Sequence, residues 1–157
     1  MIRELGVHST KYTPANMTAA VAMVTGMGAQ IKVADGTVIL PEADDAVSDI
    51  YFVEKERTVE GIYASITNLD DYFDQFVNVK AGEFVKIIKP IAGELYGVDQ
   101  FAAALADGDK GKRLSVGTDG KWKVATAASP FVFEGFVMDG THKLAQIRVS
   151  DTAVANG

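Results

Sequence analysis

The chain has no cysteine, two histidines and one tryptophan in 157 residues. Without cysteine there is no disulfide, thiol nucleophile, thiolate zinc site or iron–sulfur cluster, and the redox compartment is left unmarked. The histidines, His8 and His142, stand outside any HExxH or paired pattern, so zinc and imidazole-base chemistry find little support. Basic charge is also short. Fifteen Lys and Arg against 21 Asp and Glu give a net charge of −6, and the densest basic group is "KGKR" at 110–113. Nucleic-acid binding needs clustered cations, so that partner is not expected. Nor is a membrane, because "AAVAMV" at 19–24, the longest apolar run, falls far below the roughly 20 residues of a bilayer span. That run starts too late, and without a compact basic lead, to be a signal peptide. The composition suggests a soluble protein made and used inside a cell.

Motifs that would carry chemistry are missing or incomplete. No G-x-S-x-G elbow occurs. "TGMG" offers Gly26-x-Gly28 without a third glycine and leads into a strand, where a dinucleotide fingerprint needs a helix. "DGDKG" at 107–111 opens like a calcium loop, but Thr118 stands where the bidentate Glu belongs. Asp70, Asp71 and Asp74 could share a helical face, yet no histidine or further carboxylate follows at matching spacing, so they read as a solvated acidic face. Among 21 acidic residues some pair always suits glycosidase spacing, so abundance identifies none. No catalytic residue, metal or cofactor is expected.

What the chain does contain is strand pattern. An apolar share of 48% is enough to bury a core. Residues 1–16 show neither helical nor strand periodicity, contain Pro14, and read as an extended N-terminal arm. "MTAAVAMVTGMG" suits a short helix or a buried strand equally. "GAQIKVADGTVIL" at 28–40 alternates around Asp35-Gly36 as a β-hairpin, with Ile31 and Val33 on one face. A polar loop at 41–49 and strands at 50–56 and 60–67 follow. "NLDDYFDQF" at 68–76 predicts a helical turn capped by Asn68. Strands are expected in "GEFVKIIKP" and "GELYGVDQF", and the alanines of 99–108 predict a short helix closed by Gly108.

"GKRLSVGTDGKWKV" at 111–124 repeats the strand–Asp-Gly–strand pattern. Leu114, Val116, Trp122 and Val124 should share its buried face, with Lys112, Ser115, Lys121 and Lys123 toward solvent. "FVFEGFVM" and "LAQIRVS" form a last pair across Asp139-Gly140. Trp122, Phe131, Phe133 and Phe136 could form a stacking platform for sugars or bases, but their register with aliphatic neighbours places them in a core. The fold class is all-β and mainly antiparallel, a small barrel or sandwich with one or two short helices. Its β-rich domain spans 17–150, with two similar halves at about 17–67 and 79–150 joined by the helical segment, and 151–157 is a flexible tail.

The run from "VKAGEFVKIIKPIAGELYGVDQF" through "GDKGKRLSVGTDGKWKVATA" to "FEGFVMDGTHKLAQIRVS" resembles the decoration, or cement, proteins of tailed-bacteriophage capsids. The resemblance covers about 79–150 and describes a fold style with no catalytic signature. It implies a non-enzymatic virion protein, made in the host cytoplasm, that binds the capsid surface as a homo-oligomer, commonly a trimer, and staples neighbouring major capsid proteins. Apolar residues of the arm, Ile2, Leu5, Val7 and Tyr12, are the candidate partner-binding residues. The alternatives are another virion part, such as a tail tube or head fibre, or a carbohydrate-binding β-module.

Overall fold

The structure, a computed structural model, describes residues 1–6, 17–55 and 72–157. Five short strands, β2 (Met17–Ala19), β4 (Gly28–Lys32), β5 (Thr37–Ile39), β6 (Tyr51–Lys55) and β8 (Phe84–Ile88), close into a barrel in the order β2-β5-β4-β6-β8. Every pairing in it is antiparallel except β2 with β5. A barrel of so few strands has a narrow lumen, and Ala19, Ala29, Val38, Val53, Val85 and Ile87 supply side chains small enough to fill it. A short β3 (Met23–Val24) and β7 (Asn78–Val79) pair beside it.

The second layer is a six-stranded antiparallel sheet. Its order is β1 (Ile2–Gly6), β9 (Leu95–Val98), β13 (His142–Val154), β12 (Ser129–Asp139), β10 (Arg113–Val116) and β11 (Trp122–Val124). Its buried face carries Tyr96, Leu114, Trp122, Phe131, Phe133 and Ile147, and the same cluster takes in Ile50, Phe52 and Ile88 from the barrel side. Period-two alternation explains how. Phe52 points to the sheet and its neighbour Val53 into the barrel, and Ile88 and Ile87 divide in the same way. At Phe52–Val53 and Ile87–Ile88 the two strands are therefore buried on both faces, which accounts for these consecutive apolar pairs.

Both expected hairpins form, β4–β5 and β10–β11, and in each the first strand also pairs with the strand that follows: β4 with β6, β10 with β12. Their turns are longer than a two-residue Asp-Gly turn. Lys32 pairs with Thr37 across four loop residues, of which Gly36 alone has positive φ, 64°. Val33, expected on the buried face, sits in that loop and is 83% exposed. Ser115, expected toward solvent, is buried. The β12–β13 turn is the tight one, with Gly140 (φ 61°) first of two residues between Asp139 and His142, as a II′ turn requires.

The helices shrink. In place of a helix over 99–108 there is one 3-10 turn, Asp107–Asp109. Residues 100–102 run extended beside β11, with Trp122 N donating to Gln100 O (3.1 Å) and Ala102 N to Trp122 O (2.8 Å), and a turn follows at 103–104. A few alanines cannot nucleate a helix against such ladder bonds. Of 68–76, only α1 (Asp74–Val77) is helical among the described residues, its N-cap Phe73 offering no side-chain bond. Asn68 and the strand expected at 60–67 lie outside the described residues. Residues 151–157, read as a loose tail, continue β13 to Val154. Beyond it the Asn156 side chain accepts from Arg113 N (2.6 Å) and donates to Arg113 O and Ala125 O.

Barrel and sheet meet on glycine. A Cβ at Gly28 would lie 2.4 Å from Val116 Cγ2, and Gly28 N donates to Gly120 O at 2.9 Å. Beside this contact the Trp122 indole donates to Gly26 O at 3.1 Å and stacks on Phe52 with centroids 4.9 Å apart. Gly28→Ala forces this junction open and should destabilise the protein by about 1–3 kcal/mol, as overpacking does. Trp122→Phe, which keeps a ring but leaves the buried Gly26 carbonyl unpaired, should cost about 1–3 kcal/mol for the lost donor, with the missing indole volume adding to it. Urea unfolding midpoints measure both, and a midpoint unmoved by Gly28→Ala would show that the junction is slack.

Candidate functional site

Two polar constellations stand out on the described surface. The first is built on the loop between β5 and β6. Asp45, with φ of 66°, turns its carboxylate onto the second hairpin and the residues after it. It accepts from Ser115 Oγ, from Thr126 N (3.1 Å) and Oγ1 (2.5 Å), and from Ala127 N (2.8 Å). Aspartate tolerates this left-handed conformation better than most residues. Burial pushes the Asp45 carboxyl up, but the bonds from Ser115, Thr126 and Ala127 outweigh it and hold it at about 2. On either side Asp44 pairs with Lys123 (2.5 Å), and Ala46 bridges Val116 through two backbone bonds. The loop therefore completes the edge of β10.

The second constellation gathers three distant segments at the β12–β13 tip. Asp139 Oδ2 accepts from Arg3 Nε (2.7 Å) and from Tyr72 OH (2.8 Å). The Tyr72 ring lies flat on His142, centroids 3.6 Å apart and 6° from parallel, with the Arg3 guanidinium carbon 5.9 Å from the Tyr72 centroid. Arg3 first and Tyr72 second hold the Asp139 carboxyl below the usual range. Burial, then the bond to Asp139, raises the Tyr72 phenol. A general acid or base works best with a pKa near the working pH, and these two groups are moved away from neutrality. Through Arg3, Asp139 ties β1 to the hairpin tip, and Tyr72 adds a second bond to the same carboxylate oxygen.

A third carboxylate, Glu94, is buried at the start of β9, where it accepts from Tyr96 OH and from Ile91 N (2.9 Å). Between barrel and sheet lies a cleft of about 170 Å³, lined by Val47, Asp49, Ile50, Lys89, Pro90 and Phe131 among others. Small-molecule sites usually measure about 300–1,000 Å³.

The residues singled out from the sequence scatter. Ile2, expected to face a partner, is buried in the chain's own core, because β1 docks on β9. Leu5 is 43% exposed. Val7, Tyr12, His8, Asp70 and Asp71 lie outside the described residues. Asp74 opens α1 and is exposed. Asp109 is turned back onto Ala106 N (2.9 Å) and Lys112 (2.8 Å), which breaks up any calcium-like arrangement of the 107–111 turn. Gly26 has φ of 98°, and a Cβ there would sit 2.4 Å from Met1 O, so packing accounts for the glycine. Trp122, Phe131 and Phe133 are buried and cannot stack on a ligand, while Phe136 is half-buried under Lys143 Nζ, 3.7 Å from its centroid. Sequence reasoning missed the Asp45 clamp. Its one signal was a serine, Ser115, alternating with core residues.

Because Asp45 titrates lower in the folded chain than its ordinary 3.8, the stability it contributes is present above that value and lost as pH falls toward about 2. Asp45→Ala leaves the Ser115, Thr126 and Ala127 donors without their acceptor and should cost about 1–3 kcal/mol at neutral pH. In acid titrations followed by urea unfolding, the gap between the two proteins should close below the ordinary carboxylate range. A gap independent of pH would refute the charged clamp. Comparison of the chain with family models, with curated proteins and with solved structures finds no match.

Proposed function

We propose that the chain is a structural virion protein that binds the outer surface of a bacteriophage capsid and reinforces contacts between neighbouring capsid subunits. It acts there as a homo-oligomer, with a trimer the favoured form, and makes or breaks no covalent bond. The observation that carries the reading is the burial on both faces at Phe52–Val53 and Ile87–Ile88, which joins barrel and sheet into one braced body. A preorganised body docks without the ordering cost that weakens a flexible one, and it passes load from one contact to another. The likeness of residues 79–150 to capsid decoration proteins points the same way.

Contact would come from apolar side chains that the fold leaves outside. Leu5 is 43% exposed, Phe73 45%, Phe84 57% and Met138 59%. Large side chains of this kind act as interface anchors when a partner buries them. Leu5 takes over the role that Ile2 cannot play.

The purified protein should co-sediment with bare phage heads and show an oligomer mass in solution. Phe84→Asp and Leu5→Asp should each weaken head binding by at least about tenfold, equivalent to about 1.4 kcal/mol, with unchanged unfolding midpoints. Wild-type protein that stays in the supernatant would overturn the proposal. Tubes or fibres in electron micrographs would assign it to a different virion part.

A further inference from the structure

Four Asp-Gly steps occur in the described chain, at 35–36, 107–108, 119–120 and 139–140. Such a step can rearrange without any enzyme. The glycine nitrogen attacks the aspartate Cγ, a C–N bond forms, and a carboxyl oxygen leaves as water to give a cyclic imide. Water then opens either imide carbonyl. One route restores aspartate, and the other carries the backbone through the side chain as isoaspartate, with no net change in mass. Reaction requires the carboxyl group and the glycine nitrogen to approach in line, and glycine is favoured because no Cβ stands in the way.

The structure sorts the four steps into two classes. Asp139 is held through Arg3 Nε (2.7 Å) and Tyr72 OH (2.8 Å). Asp119 accepts from Lys121 N (3.0 Å), and Gly120 N is committed to Gly117 O (2.9 Å). Gly120 is also packed in, with its Cβ position 2.9 Å from Leu40 Cδ2. Asp107 is exposed and bonds only through its backbone carbonyl, which accepts from Lys110 N (3.3 Å), its carboxylate meeting no donor or cation among the described residues, and Gly108 faces open space. Asp35 pairs only with Lys32 (2.7 Å), both side chains about half exposed at 51% and 50%. A surface pair of that kind restrains little. Gly36 N makes a long 3.4 Å bond to Val33 O, and nothing lies within 4 Å of its Cβ position.

We infer that Asp35–Gly36 and Asp107–Gly108 are sites of spontaneous isoaspartate formation, while Asp119–Gly120 and Asp139–Gly140 are protected by the bonds that hold them. The division matches what each turn can absorb. Isoaspartate lengthens the backbone by one methylene carbon, which a four-residue loop or an exposed 3-10 turn accommodates. In the two-residue turn of β12–β13 the extra carbon would disturb the register of the longest hairpin.

The test is incubation of the folded protein at neutral pH for several weeks, then proteolysis. Isoaspartyl peptides are separated by chromatography and counted by methyl transfer from S-adenosylmethionine with an isoaspartyl methyltransferase. Isoaspartate should accumulate several-fold at Asp35 and Asp107 over Asp119 and Asp139. In concentrated urea the four steps should convert alike. Arg3→Ala combined with Tyr72→Phe should raise conversion at Asp139 several-fold and leave Asp35 and Asp107 unchanged. Equal conversion at all four steps of the folded protein would overturn the inference. So would a fourfold pattern in urea identical to the folded one, a result that needs no variant.

Discussion

The Trp122 indole, stacked 4.9 Å from Phe52 and donating to Gly26 O at 3.1 Å, sets how the barrel meets the sheet. Phe52 adds Tyr96 (4.4 Å) and an edge contact to Phe131 (6.5 Å), so one ring from a barrel strand is surrounded by three from the sheet. Truncating a buried aromatic of this kind typically costs about 3–5 kcal/mol, a large share of a domain's net stability of about 5–15 kcal/mol. For the indole to reach Gly26 O, the backbone of 26–28 must lie against the second hairpin. Glycine at 28 follows from that approach, and glycine at 26 from its positive φ and the Met1 carbonyl beside it.

Once the two layers are fixed by the apolar contact, carboxylates lock the loops and strand ends around them. Asp45, Asp139 and Glu94 each accept at least two bonds, from residues that lie far apart in the chain for Asp45 and Asp139 and within one turn for Glu94. A carboxylate is well suited to this, because its two oxygens accept several donors and charge strengthens each bond. The acidic excess of the chain thus has a partly structural explanation. Some of its aspartates serve as internal acceptors, and they are drawn to backbone N–H groups and hydroxyls as well as to cations.

The alternation of "AQIK", "RLSV" and "FVFEGF" makes the strands legible, since period two is local and each strand displays it alone. The alanines of 99–108 are neutral between helix and strand, and the bonds that decide against a helix come from Trp122, some twenty residues on. Val33 leaves its expected face for a related reason. The loop took two residues more than an Asp-Gly turn demands, and the pattern gives no warning of where pairing stops. The Asp45 clamp was beyond sequence reasoning. Its donors stand seventy and more residues away, and a carboxylate that meets them reads like any other acidic loop residue. Ile2 carries no local mark of burial, because the strand that covers it, β9, lies more than ninety residues on.

The repeated hairpin ends in two different architectures, and side-chain size decides which. Strand order β5-β4-β6 in the barrel matches β11-β10-β12 in the sheet. In the first unit the inward residues are Ala29, Val38 and Val53, small enough for three- and five-residue strands to curl until β2 and β8 close the ring. In the second, Trp122, Phe131 and Phe133 occupy the inward face, and no lumen of five strands could hold them. That unit stays open, lengthens through the eleven and thirteen residues of β12 and β13, and spends its aromatic face on the outside of the barrel. A closed ring presents no free edge of its own, whereas an open sheet needs a cover on one face. The same local grammar, given small residues once and aromatic residues the second time, therefore produces two bodies that complete each other.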